Sequence, residues 1–146
     1  MEENDFVERL IFCDEGTFHI SGKVNRHNVH IWGTEQPHAQ IEHQRESPKV
    51  NVFCAVSHEK VHGPFFFPEA TVTGDSFLDT LENRLLPQLN TNYDDYILQL
   101  DGAPPHFHRN VRELLNRVLQ QRWMGRAAEG DNHFLRWPPR SPDPTP

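Results

Sequence analysis

The sequence predicts an α/β protein, a sheet of mixed strand direction with helices packed on its faces. Three observations lead there. Short apolar runs at residues 10–13, 50–56 and 96–100 have the length and character of strands. Residues 77–89 and 107–119 repeat their apolar side chains at helical spacing. In the second half of the chain the two kinds of segment alternate, as they do when helices return over a sheet. With 146 residues, 36 % of them hydrophobic, the chain has enough material for one domain and its core.

In chain order, Leu10-Ile-Phe-Cys13 is a short apolar strand. Asp14-Glu15-Gly16 reads as a turn into Thr17-Phe-His-Ile20, which makes a first hairpin. Residues 24–48 are rich in His, Asn and Gln and show no sustained period. They form a long surface excursion, with a short element around Ile31-Trp32 as its one structured candidate. From Val50 to Val56 the side chains alternate as in a strand, Ser57-His-Glu-Lys60 is a turn, and Phe65–Phe67 is the partner strand. The result is a second hairpin, or a three-stranded meander with the first.

Thr73-Gly-Asp-Ser76 supplies helix-capping chemistry, and Phe77, Leu78, Leu81, Leu85, Leu86 and Leu89 then line one helical face. Pro87 is expected to bend or end that helix. Tyr96–Leu100 is a third strand, followed by Asp101-Gly-Ala-Pro-Pro-His106. Phe107, Val111, Leu114, Leu115, Val118 and Leu119 form the apolar face of a second helix, with Arg109, Arg112, Glu113 and Arg117 opposite. Residues 137–146 hold five of the chain's 12 prolines and read as an extended or turning tail.

Composition narrows the function. No apolar stretch approaches the roughly 20 residues of a membrane helix, and no charged-then-apolar leader opens the chain. The reading is a soluble, intracellular protein with no membrane partner. A net charge of -7 excludes nucleic-acid binding by bulk attraction, so any such role has to be local. Cys13 and Cys54 both fall in apolar strand-like runs, where a small buried thiol is expected rather than a disulfide or a zinc ligand. The 10 histidines include His58 with His62 and His106 with His108. The first pair would share a face only on a helix, which Gly63-Pro64 opposes, so no transition-metal site is assigned. Trp32, Trp123 and Trp137 are read as packing residues.

Two aspartates stand out. Asp14 and Asp101 each follow a short apolar strand, and sites in open α/β sheets form at the carboxyl ends of strands. If the two strands are neighbours, about 5 Å apart, the carboxylates converge, and their repulsion is relieved by a divalent cation. Magnesium, a hard cation held by carboxylates, waters and phosphate, suits such a pair. Gly102 would admit a phosphate, and Pro104-Pro105 would pre-set a first helical turn. The plainer reading makes Asp101 a cap of the following helix and Asp14 part of an ordinary turn. Spacing leaves both readings open. Glu15, next to Asp14, points to the other side of a strand, toward solvent or an ion pair.

Three blocks in order, Phe12-Cys-Asp-Glu-Gly-Thr-Phe18, Leu100-Asp-Gly-Ala-Pro-Pro-His106 and Trp137-Pro-Pro-Arg-Ser-Pro-Asp143, resemble the catalytic blocks of transposases of the Tc1/mariner type. The resemblance spans nearly the whole chain. It implies a ribonuclease-H-like fold with a three-carboxylate DDE or DDD centre that cuts and joins DNA with Mg²⁺ or Mn²⁺, two metals in the complete enzyme. It further implies Asp14 and Asp101 as the first two catalytic, metal-binding acids, and His106 as a candidate substrate contact. Arg109, on the polar helix face with Arg112 and Arg117, is a second candidate contact, for phosphate, or part of a solvated face.

In that family the third acid lies five residues beyond the aspartate matched by Asp143, and this chain stops at Pro146. Pro144 stands where relatives usually carry leucine. No counterpart of the family's N-terminal DNA-reading region is found. The resemblance therefore implies residues 1–146 as a partial catalytic core, incomplete at the C-terminus, truncated at both ends and inactive as it stands. DNA, here transposon ends, is the implied partner of the full-length protein, with a homodimer and nuclear residence also implied. The alternative is a non-enzymatic, transposon-derived remnant with residual nucleic-acid or protein binding.

Overall fold

A computed structural model describes residues 3–19 and 48–138. The chain begins with α1 (Glu3–Arg9), β1 (Leu10–His19), β2 (Lys49–Val56) and β3 (Val61–Phe67). A long helical segment follows: α2 (Gly74–Thr80), a π turn (Leu81–Leu85) and α3 (Leu86–Asn92). Then come β4 (Ile97–Gln99), a 3₁₀ turn (Pro104–Phe107), α4 (Arg109–Val118), β5 (Trp123–Gly125) and β6 (Leu135–Arg136). The strands form one six-stranded sheet in the order β3-β2-β1-β4-β5-β6. β1, β2 and β3 pair antiparallel, whereas β1, β4, β5 and β6 run parallel. The sheet is therefore mixed, as the sequence predicts.

Strand alternation sorts the core onto two faces. Ile11, Cys13, Leu98, Leu100 and Trp123 enter the larger cluster with Phe77, Leu81, Leu85 and Leu89 of the long helical segment and Val111, Leu114 and Leu115 of α4. Leu10, Ile97 and Met124 point the other way and pack with Phe6 of α1, Phe12 and Trp137. Over β1–β3 that second face is thinly covered. Among the described residues, Phe18, Val61 and Phe66 are all more than half exposed.

Four expectations change. The hairpin expected at Gly16 is one continuous strand, because every residue from Phe12 to His19 has a cross-strand partner on β2. Gly16 is a strand residue opposite Val52, and a Cβ there would lie 3.3 Å from the Phe18 ring two positions on. The meander reading holds, since β1, β2 and β3 are successive antiparallel neighbours. Pro87 does not end its helix. The hydrogen bond from Leu86 N–H to the Leu81 carbonyl shows the wider π register, and Pro87 then falls in the first turn of α3, where a missing N–H is tolerated.

Phe107 belongs to the 3₁₀ turn rather than to the face of α4, which starts two residues later. The helix α1 and the strands β5 and β6 were not anticipated. Ile31-Trp32, the excursion from 24 to 47, and the tail with Asp143 and Pro144 lie outside the described residues, and Trp123 is fully buried as expected of a packing residue. Cys13 is buried, Cys54 half-buried, and both are free thiols.

Candidate metal centre at the strand ends

The site is built by the parallel pairing of β1 with β4. Leu10 pairs with Ile97, Ile11 with Leu98 and Phe12 with Gln99, so continuing that register by two residues brings Asp14 level with Asp101. Asp101 lies just past the carboxyl end of β4, whereas Asp14 lies midway along β1, which runs on to His19 in its pairing with β2. Asp14 is exposed, and its Oδ1 accepts a hydrogen bond from the Glu15 N–H at 2.8 Å. Buried Cys13 senses all three acids: burial first, then the charges of Glu15, Asp14 and Asp101 push its thiol well above the ordinary range. It is a core residue, not a nucleophile.

Asp101 ends β4 with a local turn. Its Oδ1 accepts the Ala103 N–H at 2.9 Å, and Ala103, extended before proline, leads into Pro104-Pro105 at the start of the 3₁₀ turn. That turn delivers His106 inward. His106 is 3 % exposed, and its ring lies 4.2 Å from the ring of Phe77 on α2. Nδ1 meets Asp101 Oδ1 at 2.6 Å and Nε2 meets Glu15 Oε1 at 2.7 Å. Burial alone would lower the His106 pKa, but the hydrogen bonds and charges of Asp101 and Glu15 reverse this and lift it to about 10. His106 is an imidazolium across the physiological range. Asp101 answers in kind: its partial burial raises its pKa, yet the bond and charge of His106 and the Ala103 amide outweigh this and hold it below 3.8.

One donor and one cation thus occupy Oδ1 of Asp101, and among the described residues no hydrogen bond is made to its Oδ2. The ligand atoms of Glu15, Asp101 and His106 lie within 4.8 Å of one another, a metal-like spacing. The imidazolium, however, has no lone pair to offer and itself neutralises the two carboxylates. Oxygen donors remaining at the strand ends fit a hard cation such as Mg²⁺ or Mn²⁺.

Of the residues singled out in the sequence, Asp101 and His106 lie just beyond the carboxyl end of β4. Asp14, expected at the end of its strand, lies midway along β1, because the strand continues past it in its pairing with β2. Glu15 does make an ion pair, with His106. Arg109 is placed differently: its side chain is 82 % exposed and paired with Glu113 one turn along α4. Sequence reading missed Phe107 and Arg126. The guanidinium carbons of Arg112 and Arg126 lie 4.5 and 4.3 Å from the centroid of the Phe107 ring.

A ribonuclease-H-like sheet with carboxylates at the ends of its parallel strands defines a class, and the sequence agrees. Residues 9–146 match the family of DDE superfamily endonucleases, and the chain belongs to it. Solved structures of Mos1 transposase share its fold. The fold matches the Mos1 strand transfer complex with a TM-score of 0.60 and 21 % identity, covering 86 % of this chain and 37 % of that one. The Mos1 mariner paired-end complex with Mn matches with a TM-score of 0.59 and 21 % identity, covering 84 % of this chain and 36 % of that one. The Mos1 transposase catalytic domain with Raltegravir and Mn matches with a TM-score of 0.55 and 20 % identity, covering 86 % of this chain and 52 % of that one. The chain thus spans about a third to a half of the length of these structures. No curated protein matches it. Among the described residues, no helix is long and apolar enough to cross a membrane.

Proposed function

We propose that this chain is the catalytic core of a DNA transposase, and that Asp14 and Asp101 are the acids that hold its divalent cations. The observation that carries this reading is the parallel β1–β4 register, which supports a shared ion between these two carboxylates in a chain of the DDE family. When bound, Mg²⁺ or Mn²⁺ supplies charge neutralisation at the phosphodiester and activation of the attacking oxygen.

The chain's own residues prepare that site. His106 and the Ala103 amide hold Oδ1 of Asp101, which fixes the carboxyl plane and leaves Oδ2 for the cation. Glu15 holds the other side of the imidazolium, and Phe77 backs it, so the ring stays in place. Low dielectric around this buried ring strengthens each of these bonds. Transposon-end DNA as partner, a dimeric full-length protein and nuclear residence follow from this reading; Mos1, the similar protein, is seen in complexes with transposon ends.

The test is plasmid nicking. Purified protein with supercoiled DNA and Mn²⁺ is expected to show the weak nicking that two metal-holding acids can support without the third, and Asp14→Ala or Asp101→Ala to abolish it. Identical behaviour of wild type and both variants would sink this reading in favour of the non-enzymatic, nucleic-acid- or protein-binding remnant.

A further inference from the structure

We propose that Arg126 is a phosphate-binding residue of this centre, gripping a DNA backbone phosphate beside the Asp14–Asp101 pair with Phe107 as its platform. The proposal rests on the DNA-processing reading above and adds a residue to it.

The argument starts from register. Leu98 pairs with Trp123 and Gln99 with Met124, so the same count that sets Asp14 beside Asp101 sets Arg126 beside Asp101 on its other side. The Leu100 N–H bonds to the Met124 carbonyl at 2.9 Å, and a Cβ on Gly125 would lie 3.5 Å from the Leu100 Cβ, so the strands stay together to that level. By that count Asp14, Asp101 and Arg126 stand level across three adjacent parallel strands, Asp14 midway along β1 and the other two just past the ends of β4 and β5, two acids and one base in a row.

The state of that base matters as much as its place. Arg112, the other guanidinium on Phe107, is committed: it donates to both carboxylate oxygens of Asp131 and to the Phe107 carbonyl. Arg126 is exposed, and among the described residues it makes no hydrogen bond or ion pair; its contact is the Phe107 ring. Stacking directs the guanidinium plane while leaving its five N–H donors open, which suits a forked bond to phosphate. Phe107 follows His106 directly, so the platform is fixed by the same 3₁₀ turn that seats His106 on Asp101. In a chain of net charge -7, a single unneutralised guanidinium beside the acids is the local attraction that nucleic-acid binding requires here.

The experiment measures DNA affinity by fluorescence anisotropy, with a labelled 30-base-pair duplex and Ca²⁺ in place of Mn²⁺, from 50 to 300 mM salt. Arg126→Ala is expected to weaken binding roughly tenfold at the lowest salt and to reduce the slope of log K against log salt by about one, the signature of one lost phosphate contact. Arg126→Lys should keep the slope but not the full affinity, and Phe107→Leu should fall between wild type and Arg126→Ala. Arg117→Ala, an exposed arginine far along α4, serves as the charge control. If Arg126→Ala and Arg117→Ala shift the slope equally, or neither does while wild type binds, the phosphate role is overturned and the transposase reading stands. If wild type shows no salt-dependent binding, both fall.

Discussion

Two carboxylates, Asp101 and Asp131, flank α4 and look alike on paper. Each is partly buried, each ends a turn, and each is held below the ordinary aspartate pKa by hydrogen bonds that outweigh burial. Their oxygens tell them apart. Both oxygens of Asp131 are used: Arg112 bonds to the two of them, Asn116 donates to Oδ1 at 2.8 Å and the Ala128 N–H to Oδ2 at 2.7 Å. Asp101 spends only Oδ1, on His106 and Ala103. A carboxylate closed on both oxygens ties the loop after β5 to α4; one left half-open at a strand end is available for chemistry. On the proposed reading, counting satisfied oxygens separates the structural acid from the metal-binding one where burial and pKa direction do not.

The sharpest way to break this comparison is to remove each acid. Asp101→Asn should cut Mn²⁺-dependent nicking roughly a thousandfold, as loss of a metal ligand does, with a thermal melt close to wild type. Asp131→Ala should do the reverse. It strands Arg112, whose side chain is 18 % exposed, and should cost about 3 kcal/mol by urea unfolding. An Asp131 variant that melts normally but fails to nick DNA would invert the assignment.

The cations opposite the two acids differ as well, and pH exposes this. The folded pKa of His106, about 10, lies above its ordinary value of 6.5. Its stabilising contribution is therefore full below pH 6.5 and fades as the pH climbs through 10. Arg112 stays charged over that range. Wild type should lose stability between pH 6.5 and 10 in urea titrations, and His106→Gln should lose much less, whereas Asp131→Asn should leave the alkaline loss intact. At the acid end the two sites converge: both depressed aspartates contribute above pH 3.8 and lose their contribution as pH falls through their folded values.

The smallest effect belongs to Arg109. Its exposed pair with Glu113 is worth less than about 0.5 kcal/mol, so Arg109→Ala should barely shift the melt. A marked loss of DNA affinity in that variant would restore the substrate-contact role expected from its place on the polar helix face.

Much of the architecture was readable before any coordinates. Segments whose periodicity ran long enough, β2, the helix from Phe77 to Leu89 and α4, appeared where the pattern put them, because a repeated apolar face can be buried in only one orientation. Asp14 and Asp101 were also legible, since a carboxylate closing an apolar run is visible without knowing what lies beside it. Gly16 misled because a glycine marks a turn and a crowded strand position equally well. Only pairing with β2 tells which.

What the chain by itself determined is local: the apolar runs followed by an acid, the capped helices, and the Asp-Gly-Ala-Pro-Pro turn that aims His106 inward. The tertiary structure decided the rest. β5 and β6, three and two residues long, carry too few side chains to show a period and exist through their parallel pairing to β4. That pairing aligns Arg126 with Asp101, and the packing of the 3₁₀ turn on α2 seats His106 between Glu15 and Asp101, residues 91 and 5 positions away. Such contacts have no signature in sequence because their energy depends on distance in space, and the chain records only distance along itself.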